Sequence, residues 1–418
     1  MRSGSVSRSE LGIVTVVILF LLFAWSAVPA LARPATPAPP LPPPTGSVVR
    51  VSTEPQLQAA VASVKSDTTI VIAPGHYTLT HTVTFNRALS NVTLRGATDN
   101  RDDVVLVGRG MTNQDYGDVP FGVWTGNGVT RITIANLTIR DMYFHTIIFN
   151  AGTQSPHVYN VHLVDSGQQF IKSNPDNAGG GVNNGILEYS VIEFTKTARD
   201  DYPKGIDIHT GANWIIRHNL FRNIVAPGGK MAGPGVLAWN HSSNTTVEGN
   251  TFLNCSRGIM FGANVKPGHD HTGGIVRNNF IFRSISQPGD VGIHVCDSPN
   301  TQVLNNTVIL SGTYSSPIEY RYPGTEGGLI ANNLVDGEIR ARNGGTATLN
   351  GNVTNATEGM FVNPSAGDLH LKSSATGAID RGVSLPSVVD DWDGDPRPKE
   401  RPLDVGADQH VTQTPARR

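Results

Sequence analysis

The chain has 418 residues, of which 45 are glycine and only 16% are charged, and its formal net charge is −2 at pH 7. This near-neutral balance lacks the basic excess that neutralises phosphates, so a nucleic-acid partner is not expected. High glycine and low charge are unusual for helical or α/β enzymes and favour many short strands joined by tight turns. Two cysteines, Cys255 and Cys296, are too few for a disulfide-stabilised fold and are interpreted as free, buried thiols.

The amino terminus has the pattern of an export signal. Arg2 and Arg8 precede an apolar run from residue 11 to 28, and a small-residue site ends at Ala32. This pattern predicts a secretory signal peptide over residues 1–32. The apolar run is nearly long enough to span a bilayer, so an uncleaved membrane anchor is the alternative, and membrane association is expected only in that case. Either way, the protein is expected to be secreted or extracytoplasmic.

Two short segments follow the signal. Residues 33–46, RPATPAPPLPPPTG, are predicted to be a proline-rich linker that stays extended and unpacked. Residues 52–80 begin with an amphipathic helix that carries Leu57 and Val61 on one face, and continue with the strand TTIVIA and the turn PGHY.

From about residue 120 onward, an Asn residue between two apolar stretches recurs, mostly at spacings of 24 to 31 residues. The recurring position holds Asn136, Asn160, Ser190, Asn219, Asn250, Asn279, Asn306, Asn333 and Asn352. A fixed period in this range indicates a solenoid, and three short strands per repeat favour a parallel β-helix. Because stacked Asn amides hydrogen-bond along the axis, we interpret this column as structural and not as a set of ligands.

The helix that runs into DTTIVIAPGHYTLT, followed by NVTLRG and the Asn-marked coils, resembles the opening of the pectate-lyase-like right-handed β-helix superfamily. The resemblance implies an all-β fold, a right-handed parallel β-helix of three sheets with an N-terminal helical cap. We place the β-helix at residues 47–357 and a C-terminal closing segment and tail at residues 358–418. The superfamily includes lyases, hydrolases, epimerases and binding proteins, so the resemblance is specific for fold and not for activity.

When the coils are aligned on the Asn positions, one strand of each coil contributes to two outward columns, because side chains two residues apart share a face. The first column holds Ile148, Lys172, Asp207, Leu237, Met260, His294, Glu319 and Arg340, and the second holds Asn150, Asn174, His209, Trp239, Gly262, Cys296, Arg321 and Arg342. Long glycine-rich insertions beside these strands, such as SNPDNAGGGVNN, are expected to wall a groove.

An extended polysaccharide fits such a groove, and Trp239 offers a flat apolar face for a sugar ring. For an acidic sugar, β-elimination needs a base for the proton beside the carboxylate and positive charge on the carboxylate itself. We predict that Lys172, His209 and Asp207 are catalytic. The predicted substrate-binding residues are Lys204, Trp239, Asn174, His294 and Arg321.

A second resemblance concerns Lys172 and Ser173, with His209 and Gly211 one coil later. This pair of motifs is similar to the Lys-Ser and Arg-His-Gly pairing of chondroitinase B and related alginate lyases. The resemblance implies that Lys172 is the base, whereas His209 stands where the family has the arginine that assists as acid. The acidic calcium ligands expected just before the Lys-Ser pair are replaced by Gln168 and Gln169. No metal is therefore predicted, and the cofactor, with calcium as the candidate, stays open.

The preferred function is an exported polysaccharide lyase that acts, as a monomer, on a polymer containing uronic acid. One alternative is a glycoside hydrolase or epimerase in the same groove; a hydrolase needs paired carboxylates, for which Asp200, Asp201 and Asp207 are the candidates. The other alternative is a non-catalytic glycan-binding surface protein. In the tail, Asp391, Asp393 and Asp395 alternate, and we interpret them as a terminal turn in preference to a calcium site.

Overall fold

The structure is a computed structural model that describes Met1, residues 37–399 and residues 402–410. Apart from Met1, the predicted signal peptide lies outside the described residues. Three long parallel sheets, named A, B and C, wind around one apolar core as a right-handed parallel β-helix, which confirms the predicted fold class.

Each sheet is built from one strand per coil, in the following stacking order. Sheet A consists of Ser47–Val51, Thr68–Ile72, Thr93–Gly96, Thr133–Ala135, His157–Tyr159, Ile186–Glu188, Ile215–Arg217, Thr246–Glu248, Ile275–Arg277, Gln302–Leu304, Gly328–Ala331 and Ala347–Asn350. Sheet B consists of Gly75–Thr78, Val104–Val107, Thr138–Met142, His162–Ser166, Val191–Glu193, Leu220–Arg222, Thr251–Leu253, Phe280–Phe282, Thr307–Ile309 and Leu334–Val335. Sheet C consists of Val83–Phe85, Val123–Thr125, Ile147–Phe149, Ile171–Ser173, Ile206–His209, Pro234–Trp239, Arg257–Phe261, Ile293–Cys296, Ile318–Arg321 and Ile339–Arg342.

Short elements complete the described chain. Two further parallel pairs, Leu89–Ser90 with Val129–Thr130 and Ser242–Ser243 with His271–Thr272, lie at turns between the sheets. The antiparallel pair Phe361–Asn363 and Asp368–Leu371, and the 3₁₀ turns Glu358–Met360 and Pro364–Ala366, belong to the carboxyl-terminal segment.

The helix Glu54–Ser63 caps the first coils, as predicted. Its N-cap residue Thr53 accepts a hydrogen bond from the backbone N–H of Gln56, and its apolar face, which includes Leu57 and Val61, is buried in the solenoid core. With ten residues this helix is short, and no helix in the described ranges has both the length and the apolar character required to cross a membrane.

The Asn column forms the predicted ladder. Asn219 donates through Nδ2 to Asn250 Oδ1 at 3.0 Å, and Asn250 donates to Asn279 in the same way, also at 3.0 Å. Each of these amides also donates to a main-chain carbonyl; that of Asn250, for example, bonds Ile216 at 2.9 Å. These three ladder amides thus bond the adjacent coils, which fixes the register from one coil to the next.

The segment after the last coil packs along the outer face of sheet B. Its Trp392 ring stacks on Phe280 with the ring centroids 4.5 Å apart, and Phe361 joins the same buried cluster. The Asp391 carboxylate accepts the backbone N–H of Asp393 at 3.0 Å and of Asp395 at 2.8 Å, so the alternating acids form a turn.

The proline-rich linker departs from its prediction in one respect. Residues 37–46 have no regular secondary structure, but they are not wholly unpacked. The Pro42 carbonyl accepts a hydrogen bond from Arg95 Nη1 at 3.1 Å, and the Pro39 carbonyl accepts one from the Tyr159 hydroxyl. Arg95 and Tyr159 lie on sheet A, and their side chains bond these carbonyls, because proline lacks a backbone N–H but keeps its carbonyl acceptor.

Candidate active site

The strands of sheet C pair in the register that the sequence predicts. Lys172 lies opposite Asp207, and His209 lies opposite Trp239. Residues that alternate with them, such as Ile206 and Ile208, point into the core and are fully buried. The period of two therefore places the polar side chains together on the outer face.

A cluster of charged groups, here called the lysine centre, is built around Asp207. Lys172 Nζ donates to Asp207 Oδ2 at 2.7 Å, and Lys204 Nζ lies 3.5 Å from the same oxygen. The other oxygen, Oδ1, accepts a hydrogen bond from Trp239 Nε1 at 2.9 Å. His209 Nε2 is 2.7 Å from Lys172 Nζ and 3.3 Å from Asp207 Oδ1. Lys172, Asp207, His209, Lys204 and Trp239 thus form one site.

This part of the outer face is enclosed, although the residues are charged. Asp207 is 1% exposed and Lys172 is 8% exposed. Burial alone would raise the pKa of Asp207, but the neighbouring His209 and the charges of Lys172 and Lys204 outweigh burial and hold the pKa well below its usual range. Asp207 is therefore a permanent anion that holds the cations in place.

Lys204 reaches the centre from the loop before its strand. Its side chain runs over Gly233, where a Cβ atom would lie 2.5 Å from Lys204 Cγ, so glycine is needed for this close approach. The ammonium group lies 4.1 Å from the centroid of the Tyr202 ring, at cation–π distance. Burial lowers the pKa of Lys204, and the nearby charge of Lys172 lowers it further against the attraction of Asp207.

The contact between Lys172 and His209 can carry a proton. At 2.7 Å, one nitrogen must donate and the other must accept. Two forms satisfy this contact with the same number of protons: an ammonium beside a neutral imidazole, and an amine beside an imidazolium. Asp207 stabilises both forms, since its two oxygens face the two groups.

The Trp239 indole is held at its edge and covered on one face. Besides its bond to Asp207, its ring meets the His209 ring edge-on, with centroids 4.7 Å apart, and Lys266 Nζ lies 5.3 Å from the ring centroid. Lys266 belongs to a loop whose backbone N–H groups donate to the buried carboxylates of Asp270 and Asp297. Sequence reasoning missed Lys266, since its loop position gave no periodic signal.

The other predicted binding residues lie outside the lysine centre. Asn174 Nδ2 donates to Asn150 Oδ1 at 3.1 Å, so Asn174 lies in the second outward column, next to Asn150. His294 lies three strands and Arg321 four strands beyond the strand of Asp207, around Glu319, where Arg321 Nε donates to Glu319 Oε2 at 2.6 Å. We call this second group the Glu319 cluster.

One buried histidine near the lysine centre was also missed. His145 is 7% exposed, and its Nδ1 lies 2.9 Å from the Gln169 carbonyl. Burial lowers the pKa of His145 to about 4, and the charges of Lys172 and Lys204 contribute to this shift. It is therefore a neutral group beneath the site, and its position before a strand made it look like an ordinary turn residue.

The described residues around Lys172 do not fit a calcium ion. Calcium takes six to eight oxygen ligands, chiefly carboxylates. At the position where the family resemblance implies acidic calcium ligands, Gln169 Nε2 donates a hydrogen bond to the Tyr202 carbonyl at 3.0 Å. The Gln169 amide oxygen would offer a metal only one uncharged ligand. The carboxylate of Asp207 is already bonded by Lys172 and Trp239.

The carboxylates proposed for a hydrolase are also engaged elsewhere. Asp200 accepts from Arg199 Nε at 3.2 Å, and Asp201 pairs with Lys230 at 3.3 Å. A glycosidase acid needs a raised pKa, whereas the pKa of Asp207 is lowered. The geometry therefore favours chemistry by the lysines and the histidine.

Several solved structures are similar to this chain. The pectate lyase Pel9A matches with a TM-score of 0.50 at 12% sequence identity, over 84% of this chain and 90% of that chain. A PL6 family polysaccharide lyase from Pseudopedobacter saltans matches with a TM-score of 0.45 at 13% identity, over 78% and 96% of the two chains. PfbA, a surface adhesin of Streptococcus pneumoniae, matches with a TM-score of 0.38 at 13% identity, over 73% and 86%.

No family model and no curated protein matches the sequence. The chain has the pectate-lyase-like parallel β-helix fold, as the sequence predicts. At such low identity the likeness shows the fold alone.

Proposed function

We propose that the protein is an exported polysaccharide lyase that cleaves a uronate-containing polymer by β-elimination at the lysine centre. The observation that carries this proposal is the short contact between Lys172 and His209, on a carboxylate shared by two lysines. This arrangement supplies a base, an acid and positive charge within one groove, which are the three requirements of elimination from a uronate.

The proposed reaction begins with a proton exchange. At rest, Lys172 is an ammonium and donates to both Asp207 and His209. Transfer of one proton to His209 leaves Lys172 as an amine and His209 as an imidazolium, which Asp207 Oδ1 stabilises at 3.3 Å.

The elimination then restores the resting form. Lys204 binds the substrate carboxylate, and the Lys172 amine takes the proton from the adjacent carbon. The electron pair of that C–H bond forms the carbon–carbon double bond, and the glycosidic C–O bond breaks. His209 gives its proton to the leaving oxygen. Lys172 is again an ammonium and His209 is again neutral, so no further proton donor is needed.

A substrate panel tests the proposal against its alternatives. Purified protein is incubated with uronate polymers and with neutral polysaccharides, and the ultraviolet absorbance of unsaturated uronides is followed together with new reducing ends. We expect both signals to rise on a uronate polymer. Reducing ends without the absorbance would indicate hydrolysis, and retention on a glycan array without either signal would indicate a binding protein.

The proposal also places the mature protein outside the cytoplasm as a monomer. Amino-terminal sequencing of protein recovered from the culture medium is expected to begin just after Ala32, and light scattering is expected to give the mass of one chain. Protein that stays with the membrane fraction and keeps its first residues would favour the uncleaved anchor.

A further inference from the structure

A cleft of about 320 Å³ opens on the outer face of sheet C, toward the amino-terminal end of the groove. Its walls include two aromatic rings, Trp124 and Phe121, and three polar side chains, Thr84, Asn86 and Asp118. This volume lies at the lower end of the range of about 300–1,000 Å³ for small-molecule sites. The outward columns in the sequence began one coil later, so they did not include these residues.

The Trp124 ring is positioned by its backbone surroundings. Its six-membered ring lies above Gly126, where a Cβ atom would come within 2.5 Å of Trp124 Cη2. Any larger residue at that position would push the indole outward. The indole is half-buried, so it still presents surface to the cleft. Glycine at position 126 therefore allows a flat aromatic floor on an otherwise polar sheet face.

The cleft lies in the same outward column as the lysine centre. Trp124 lies opposite Ile148, and Ile148 lies opposite Lys172. Two strand spacings separate Trp124 from Lys172, roughly 10 Å along the axis. The Phe121 ring stacks on His145 with centroids 5.6 Å apart and an interplanar angle of 7°, and His145 lies beneath the lysine centre. A polymer that lies along the axis would therefore cross both features.

The charges of the cleft differ from those of the lysine centre. Of the described residues that line it, Asp118 is the one with a charged side chain, and its Oδ2 lies 3.7 Å from Nε2 of the exposed His81. Sugar hydroxyls can bond Asp118 and the Asn86 amide here. The Trp124 face suits the apolar C–H face of a sugar ring.

We propose that this cleft is a glycan subsite that binds one sugar ring of the polymer by stacking on Trp124 and by hydroxyl hydrogen bonds. The subsite rests on the proposed function for the identity of its polymer, but the cleft takes no part in the chemistry. It makes the protein prefer chains long enough to reach from Lys172 to Trp124.

Kinetics on oligosaccharides of increasing length test the subsite. For Trp124→Ala, we expect kcat/KM to fall about five- to tenfold on long oligomers and to stay unchanged on the shortest ones that are cleaved. The effect should persist at high salt, because the contact is not ionic. Gly126→Val should reproduce the loss by displacing the ring, and Trp124→Phe should recover part of it. Tyr189→Ala, at a turn between sheets A and B, is the control for removing an aromatic ring elsewhere.

A binding measurement separates the subsite from the catalytic proposal. In affinity electrophoresis through polysaccharide gels, Trp124→Ala is expected to migrate faster than its parent, with both proteins carrying Lys172→Arg. If the wild-type protein cleaves nothing but Trp124→Ala still weakens retention, the subsite holds and the lyase proposal fails. Equal retention and equal long-chain kinetics for Trp124→Ala and wild type would overturn the subsite, as would a loss of kcat/KM that is the same at every length. Failure of every polysaccharide to retain the wild-type protein would overturn both.

Discussion

Two clusters on the outer face of sheet C each contain a buried carboxylate bonded by cationic side chains, but they differ in the groups that can release a proton. In the lysine centre, Asp207 is bonded by Lys172 and Trp239. In the Glu319 cluster, the fully buried Glu319 accepts from Tyr314 Oη at 2.8 Å and from Arg321, with Arg342 Nη1 at 3.3 Å. Lysine can give up a proton near neutral pH when its surroundings favour it, whereas arginine cannot.

The histidines of the two clusters show the same contrast. His209 is in contact with Lys172 and can exchange a proton with it. Nε2 of His294 is buried and has no hydrogen-bond partner among the described residues. Burial lowers the pKa of His294 to about 3, and the charges of Arg321, Arg257 and Arg342 add to this effect. We therefore propose proton transfer in the first cluster and fixed positive charge in the second.

The largest effect is expected on stability when the buried carboxylate of the lysine centre is neutralised. Asp207→Asn leaves Lys172 and Lys204 without their anion, and should lower the free energy of unfolding by about 3–5 kcal/mol. Glu319→Gln should lower the free energy of unfolding by less, because the side chain of Arg342 is 36% exposed and water can solvate its charge when the anion is lost. Urea denaturation of the two variants at neutral pH measures both differences, and an equal loss for both would remove the contrast.

The same variant has a defined pH dependence. Since the folded-state pKa of Asp207 is depressed, its contribution to stability is present above the unfolded pKa of about 3.9 and is lost as the pH falls through the lower folded value. The difference in the free energy of unfolding between the wild type and Asp207→Asn should therefore become smaller in strong acid. A difference that stays constant from neutral to acidic pH would mean that the carboxylate is not the stabilising anion.

Exchange of the cations between lysine and arginine should separate the clusters by turnover. Lys172→Arg keeps the charge but cannot act as base, so turnover should fall on the order of a hundredfold or more while substrate binding is retained. Arg321→Lys keeps the only property assigned to Arg321, its charge, and should change turnover by less than about threefold. Steady-state kinetics of the two variants on one polymer measures both effects. Near-normal turnover of Lys172→Arg would contradict Lys172 as the base and make Asp200, Asp201 and Asp207 the next candidates.

Removal of each histidine should give a smaller but still unequal effect. His209→Gln keeps a hydrogen-bonding side chain but loses the proton donor, and kcat should fall roughly ten- to a hundredfold. His294→Gln should leave kcat within about twofold, since His294 exchanges no proton in this account. Equal losses for the two variants would contradict the assignment of the acid to His209.

The smallest effect is expected at the exposed edge of the Glu319 cluster. Arg342→Ala removes one partly exposed cation from the groove, so KM for a uronate polymer should rise only about two- to threefold, with kcat unchanged. The rise should disappear at high salt, because exposed charges are screened there. A drop in kcat would mean that this cluster takes part in the reaction.

The fold and the register of sheet C could be predicted because they depend on local, periodic signals. Asn219, Asn250 and Asn279 mark the same turn in successive coils, and one amide can satisfy its hydrogen bonds only through its neighbours. Once that turn is fixed, alternation decides which side of the strand faces out, so Lys172 and Asp207 fall in one column.

The detailed geometry of the lysine centre depends on loop contacts that the periodicity of the sequence does not predict. Lys204 enters from a loop and needs Gly233 beneath it, and Lys266 comes from an insertion. Loops also bury the outer face, so that Asp207 is a buried anion and not a solvated residue. Trp239 was predicted to stack on sugar, which stays a prediction, while its indole N–H bonds Asp207. These features follow from loop packing, which sequence alternation does not determine.

The mass of the reaction products tests β-elimination with Lys172 as the base most directly. Wild-type protein and Lys172→Arg are incubated with the same uronate polymer, and the ends created by cleavage are weighed by mass spectrometry. The account predicts wild-type products whose new non-reducing ends are one water lighter than hydrolytic ends, and no such ends from Lys172→Arg in the same time. Wild-type products of full hydrolytic mass, or light products from Lys172→Arg at the wild-type rate, would contradict it.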